Sequence, residues 1–366
     1  MNKETIRARL KAQDKANKRA QEHRELSRYY NINSILGNQW AMIYGIIGAR
    51  KTGKSYAITQ YICRRKKKLK SQCKVYWMRI STLSTKAMLE NQADKLVDPD
   101  LKRKYDLKFT TKGMTVYDHY DKEKKDENDP FIVVAPLASF GKLKGVGFYD
   151  KDFTGEYVLV LDEFQLEEGE KRTSFDILYN FIGMCENIAR TTKNNIKVFL
   201  LGNTLEEAST IFKALNFIPE KFGRFYLRSK RAVIDNLEPT EEYFKDRKGS
   251  IADVLGGDAM SNFTNEMKKD IALINKSRTK HPTAIIKFSK DCKDWVTLWD
   301  GIIIKKYNGE HLDKSTDFAM RPRLDTYYSR ERAMNIIEMY DARALNYNTY
   351  ITKAFFEDAL AKVRKM

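Results

Sequence analysis

The sequence predicts an α/β protein, a layer built on a largely parallel sheet, followed by a smaller α+β domain. Three observations carry this. Short apolar runs rich in Ile, Val and Leu alternate with helix-forming stretches. The first such run feeds a glycine-containing turn, GARKTGKS, from which a helix starts. Beyond about Ala232 the alternation stops, and the chain turns polar and helix-leaning.

In chain order, Met1 to Arg28 is rich in Lys, Arg, Gln and Ala without Gly or Pro, which suits a solvated helix or an arm that orders on binding. AMIYGIIG (Ala41 to Gly48) reads as a strand buried on both faces, and SYAITQYICRR after the turn as a helix. VYWMRI (Val75 to Ile80) is a second strand. The polar stretch after it ends in DKEKKDENDP, read as a surface hairpin or loop. FIVVAPLA (Phe131 to Ala138) and YVLVLDEF (Tyr157 to Phe164) are the third and fourth strands. A helix is expected through Arg190, then a fifth strand, KVFLLGNT (Lys197 to Thr204). A polar stretch runs to His281. TAIIKFS, WVTLWDGIIIKKYN and one helix from Arg330 to Met366 then make the small domain. The expected division is an arm over 1–28, the α/β layer over 29–231, a linker over 232–280 and a C-terminal nucleic-acid-binding domain over 281–366.

Composition bounds the function. The 366 residues hold 67 Lys+Arg against 49 Asp+Glu, a formal charge of +18 that points to a polyanionic partner, nucleic acid first. Basic runs also bind anionic lipid, so RRKKKLK (Arg64 to Lys70) and the arm are equally readable as soluble charged faces. No run approaches about 18 apolar residues, so no membrane span is expected, and the first residues lack the apolar core of a secretion signal. Cys63, Cys73, Cys185 and Cys292 form no CxxC pair, which suits thiols of a reducing cytosol rather than a zinc or disulfide framework.

The sharpest signal is Gly48 to Ser55, which fits GxxxxGK[ST] at every specified position between a strand and a helix. Gly48 and Gly53 let the backbone curl, so that amides of Gly48, Ala49, Arg50, Lys51, Thr52 and Gly53 can face phosphates at a helix N-terminus. Lys54 is then expected on the β- and γ-phosphates and Ser55 on Mg²⁺. Asp162, closing the apolar run of YVLVLDEF, is placed to hold Mg²⁺ through water, and Glu163 to polarise the water attacking the γ-phosphate. Asn203, ending the next strand, can sense the γ-phosphate or simply end a strand in a turn. Arg190 reads either as a surface arginine or as an arginine finger completing a neighbouring subunit's site. Gln39 and Tyr30, upstream of the loop, are candidates for the adenine.

Taken in order, GARKTGKS, YWMR, VAPLASFGKLK, LVLDEF and LLGNT resemble the DNA-packaging (encapsidation) ATPases of small tailed phages, nearest to the compact motors of small Bacillus podoviruses. Those are terminase-like P-loop NTPases of the additional-catalytic-glutamate class. The resemblance covers about Tyr29 to Leu227 well and the last third loosely. It implies that Arg50 is the arginine such motors carry inside the phosphate loop and that Asn203 is a coupling residue. It also implies that Arg190 and Lys144 act at the subunit interface. ATP and Mg²⁺ are the implied ligands. Double-stranded DNA, the capsid portal (connector), in some members a packaging RNA, and a homo-oligomeric ring, usually pentameric, are the implied partners. The setting is the host cytoplasm, at the portal vertex of a capsid precursor. The C-terminal domain is expected to resemble a degenerate ribonuclease H-like nuclease that binds nucleic acid. Its acids Asp291, Asp294, Asp300, Asp313 and Asp317 are read as solvated turn residues rather than a two-metal centre. Lys86 is a candidate DNA gripper or a solvated helix lysine. The rivals are another P-loop DNA translocase or helicase not linked to capsids, a non-enzymatic scaffold, and a P-loop kinase.

Overall fold

The computed structural model describes residues 29–143, 152–164, 176–190, 195–203, 209–219, 221–246, 248–250, 254, 273–275, 282–311, 316–322 and 328–364. The arm over 1–28, Lys144 and Asp313 lie outside them. Two compact units divide the chain, one of Met1–Glu206 with Pro219–Glu266, the other of Glu207–Ile218 with Met267–Met366.

In the first unit the strands are β1 (Ile43–Ile47), β2 (Cys73–Arg79), β3 (Phe109–Lys112), β4 (Thr115–Asp118), β5 (Pro130–Pro136), β6 (Glu156–Asp162), β7 (Ile196–Gly202), β8 (Gly223–Leu227) and β9 (Ala232–Asn236). They form one sheet in the order β3-β4-β5-β2-β6-β7-β1-β9-β8. From β5 to β9 every neighbouring pair is parallel, and antiparallel pairing appears only at the two margins. The apolar runs dictate this arrangement. A parallel sheet is covered on both faces, so its strands are apolar throughout rather than alternating; all seven residues of β6 are buried.

The described helices, in chain order, are α1 (Asn33–Leu36), α2 (Lys54–Leu69), α3 (Thr82–Ala93), α4 (Pro99–Tyr105), α5 (Phe140–Leu143), α6 (Ile177–Ala189), α7 (Thr210–Leu215), α8 (Glu241–Lys245), α9 (Arg330–Asp341) and α10 (Tyr350–Arg364). The face of α2 made by Ala57, Ile58, Tyr61 and Ile62 packs into the main core with Val158, Val160 and Phe199. Tyr61 meets Phe199 edge-on at 5.5 Å between ring centroids.

The second unit holds α7, α9, α10 and a five-stranded sheet, β13-β10-β11-β12-β14. Its strands are β10 (Pro282–Lys287), β11 (Trp295–Trp299), β12 (Ile303–Lys306), β13 (Phe318–Ala319) and β14 (Asn346–Tyr347). Its core joins Ile286, Val296, Leu298 and Ile304 to Ala333, Ile336, Phe356 and Leu360. Among the described residues no helix is long and apolar enough to cross a membrane.

Three sequence expectations need correction. The layer does not end at Arg231, because Ala232–Asn236 is a wholly buried strand paired with both β1 and β8. Its apolar run is only three residues long, and its Asp235 is buried because Arg224 and the Tyr30 hydroxyl satisfy it at 2.6–2.8 Å. The polar stretch before Phe131 holds α3, α4, β3 and β4, while 121–129 is the exposed loop read from it. The terminal helix is two, parted at Arg343, whose φ of 54° no helix accommodates, and by β14.

Candidate active site

β1, β7 and β6 are consecutive in the sheet, and their carboxyl ends carry the three sequence signals side by side. Ile47 pairs with Gly202, and Leu201 with Asp162. Gly48 to Ser55, Asn203 and the Asp162–Glu163 pair therefore share the edge where parallel α/β sheets place their ligands.

The GARKTGKS loop needs its glycines for two different reasons. A Cβ on Gly48 would sit 3.0 Å from the Leu237 Cβ. Gly53 has φ 83° and lies against Tyr29, whose Cβ would be 2.8 Å from an added one. Lys51 adopts φ 63° without a glycine's freedom, a strained conformation of the sort that functional turns hold. Ala49 is buried, Arg50 and Ser55 are exposed, and Thr52 donates through Oγ1 to the Ala49 carbonyl at 2.9 Å.

Lys54 opens α2 and folds back on its own loop, its ammonium donating to the carbonyls of Gly48 and Ala49 at 2.7 Å each. Burial pulls this ammonium down to about 8, against the opposing attraction of Asp162 and Glu163.

Asp162 ends β6 in the buried interior and Glu163, half exposed, follows with φ 54°, its amide bonded to the Leu201 carbonyl at 2.9 Å. Arg79, the last residue of β2, clamps both acids. It donates to Asp162 Oδ2 through Nε at 3.1 Å and Nη2 at 2.8 Å, and its Nη1 lies 3.1 Å from Glu163 Oε2. Burial opposes the charge on Arg79, but the two carboxylates outweigh it and raise its pKa. Both bonds to Asp162 fall on Oδ2, leaving Oδ1 without a hydrogen-bond partner among the described residues.

No described cluster of three or more His, Cys, Asp or Glu is arranged around a metal. A different donor set is present, the Ser55 hydroxyl and one open carboxylate oxygen. These hard oxygens suit Mg²⁺ shared with phosphates, which keeps water and takes few protein ligands. Asp162 ends a strand two places from the one that feeds the loop, with one strand, that of Asn203, between them.

The remaining predicted residues are less gathered. Asn203 is half-buried beside the acids, whereas Arg190 is the exposed C-cap of α6 with φ 42°. Lys144 lies outside the described residues. Tyr30 is tied to Asp235 by its hydroxyl and to the Thr52 carbonyl by its amide at 3.0 Å, and Gln39 is exposed in a turn. Lys86 is exposed on α3. In the second unit, Asp291 caps a short helical turn, Asp294 faces Lys362 at 3.5 Å, Asp300 sits in a turn at φ 49°, and Asp317 accepts the Ile285 amide. Sequence reasoning missed Arg79, Tyr29 and Tyr243. The one visible signal was the charged residue closing the apolar run VYWM.

No family model and no curated protein sequence matches the chain. Among solved structures it is similar to the bacteriophage Phi-29 viral genome packaging motor assembly, at 17% identity and TM-score 0.63, over 92% of this chain and 100% of that one. It is also similar to the Phi-28 gp11 DNA packaging motor, at 13% identity and TM-score 0.60, over 92% of this chain and 97% of that one. At these identities the likeness establishes fold alone, a mixed, mostly parallel α/β architecture, as the sequence predicted.

Proposed function

We propose that the chain is an ATPase that drives double-stranded DNA into a preformed capsid through its portal. One observation carries the reading. A phosphate loop, a polar amide and an acidic pair occupy adjacent strand ends, inside a fold shared with two solved packaging motors.

In this reading Lys54 leaves the Gly48 and Ala49 carbonyls for the β- and γ-phosphates, while loop amides from Ala49 to Gly53 cradle the chain of phosphates. The Gly48 amide, expected among them, is instead held by the Gly202 carbonyl at 3.2 Å as the sheet pairing continues. Ser55 and Asp162 would hold Mg²⁺, which would offset phosphate charge when bound. Arg79 gives up at least part of its hold as the acids engage. Glu163 then accepts a hydrogen bond from the attacking water, and Asn203 lies between that water and the loop. Tyr29, partly exposed beside Gly53, offers an aromatic face to the adenine.

Arg50 in the loop, and Arg190 and Lys144 from a neighbouring copy, would complete the site in a homo-oligomeric ring, pentameric as in the family the motifs resemble. The exposure of Arg50 and Arg190 supports this. DNA contacts fall to phosphates, which recur along any sequence. Lys86 and the second unit, where Lys305 lies 3.7 Å from the Trp299 ring centroid, are the proposed nucleic-acid contacts. A packaging RNA and the portal are partners proposed for the arm over 1–28, at the portal vertex in the host cytoplasm.

The test is ATP-driven protection of DNA from nuclease by the purified protein with portal-bearing empty capsids. Protection that needs ATP and is lost in Glu163→Gln is expected. ATP hydrolysis with unwinding of a forked duplex and no protection would reassign the chain to a helicase, and no hydrolysis at all would overturn the reading.

A further inference from the structure

The phosphate loop is gripped from outside by residues that belong to no nucleotide motif. For its amides to face phosphates, its carbonyls must turn outward, and outward carbonyls need partners. Those of Gly48 and Ala49 are taken by Lys54. That of Thr52 is taken by the Tyr30 amide, and that of Arg50 accepts from the Tyr243 hydroxyl at 2.9 Å. When Lys54 swings to a triphosphate, the Gly48 carbonyl loses that donor, while the Ala49 carbonyl keeps Thr52 Oγ1 at 2.9 Å. The ties from Tyr30 and Tyr243 do not depend on Lys54.

Tyr243 is held for this task. The Leu237 amide continues the β9 pairing to the Ile47 carbonyl at 2.7 Å, which lays Leu237 against Gly48. Thr240 then caps α8, its Oγ1 accepting the Tyr243 amide at 3.2 Å. The Tyr243 ring is 9% exposed and meets Phe244 edge-on. One short segment therefore touches the loop at Gly48 and at Arg50, on either side of buried Ala49.

We propose that Tyr243 is a positioning residue for nucleotide binding, its hydroxyl holding the Arg50 carbonyl outward so that the loop amides stay turned toward the triphosphate. The proposal rests on the reading of this loop as an ATP site. Tyr243→Phe removes only the hydroxyl, and one hydrogen bond corresponds to about a 3- to 10-fold change in an equilibrium constant.

The experiment compares wild type and Tyr243→Phe in three measurements: equilibrium binding of a fluorescent ATP analogue, steady-state hydrolysis, and thermal unfolding without nucleotide. The expected result is a Kd and KM raised about 3- to 10-fold, with kcat within about twofold and a Tm lowered by no more than about 3 °C, which one lost hydrogen bond accounts for. A Tyr243→Trp variant, whose indole N–H can donate again, should recover part of the affinity. Unchanged affinity in Tyr243→Phe overturns the proposal, and so does an affinity loss accompanied by a Tm drop larger than one hydrogen bond accounts for, which marks a structural role only. A wild type that neither binds nor hydrolyses ATP overturns the site reading instead, so the two failures are distinct.

Discussion

One strand carries a buried acid at each end, and the two ends are built differently. At the amino end of β6, Glu156 is saturated. It accepts from the Tyr61 hydroxyl at 3.0 Å, from Arg65 Nε and Nη2 at 3.0 and 2.7 Å, and from Lys197 Nζ at 2.9 Å. At the carboxyl end Asp162 has one guanidinium on one oxygen, a strained glutamate next to it and a folded-back lysine within electrostatic reach. Both acids are buried, 6% and 3% exposed, so burial alone does not separate them. The difference is spare capacity. A carboxylate whose lone pairs are filled by side chains is structural, and one held by a single cation that other groups can replace is ready for a ligand.

The largest test of that contrast exchanges charge for amide at each end. Asp162→Asn is expected to lower ATP turnover by about 10³-fold while leaving the fold close to wild type. Glu156→Gln should do the reverse, costing about 2 kcal/mol of stability with the turnover of the folded protein retained. The cost is this small because Arg65 and Lys197 are 30% and 28% exposed and can rehydrate. Parallel urea unfolding and phosphate-release assays read both, and equal losses of stability at the two ends would break the contrast.

A second test removes the cation rather than the acid. Arg79→Ala strands the buried Asp162 carboxylate, which costs about 3 kcal/mol in the nucleotide-free protein. It also frees the oxygen that Arg79 now occupies. Mg²⁺ with a non-hydrolysable ATP analogue should therefore raise the Tm of Arg79→Ala by more than it raises that of wild type. An equal or smaller increment would mean that Arg79 does not compete with the ligand.

How much of this was legible follows from the same contrast. The carboxyl end could be read because its chemistry is local: GARKTGKS is contiguous, and Asp162 and Glu163 visibly close an apolar run. The amino end could not. RRKKKLK looked like a single basic face, yet Arg65 binds Glu156 and buried Lys66 binds Asp129 at 2.6 Å and the Cys73 carbonyl at 3.0 Å. Arg64 meets Asn33, and exposed Lys67 lies 3.7 Å from Asp118. Those partners lie up to 91 residues away in sequence, so only the sheet order reveals them. Strand β9 was missed for a related reason. Its buried Asp235 argues against a strand until Arg224, from the antiparallel neighbour, and Tyr30, from the start of the layer, are seen to satisfy it.

The smallest expected effect sharpens the comparison by pH, because the two ends should fail in opposite directions. Burial works against the Glu156 carboxylate, but Arg65 and Lys197 overcome it and leave its pKa below the ordinary carboxylate value. Its contribution to stability is therefore full above the unfolded value and is lost as pH falls toward the folded one. Lys54 has the opposite sign. Its ammonium is lowered to about 8, so between there and the ordinary lysine value the unfolded chain binds more protons, and this group favours folding increasingly as pH rises. Triphosphate affinity runs the other way, since only the protonated amine attracts phosphate. Between about pH 7 and pH 9 the charged fraction of Lys54 drops about tenfold, and ATP affinity should weaken by up to that factor while thermal stability holds. A KM for ATP that stays flat across that range, measured with Mg²⁺ held constant, would show that Lys54 does not carry the binding charge and would leave the carboxyl end of β6 no more specialised than the amino end.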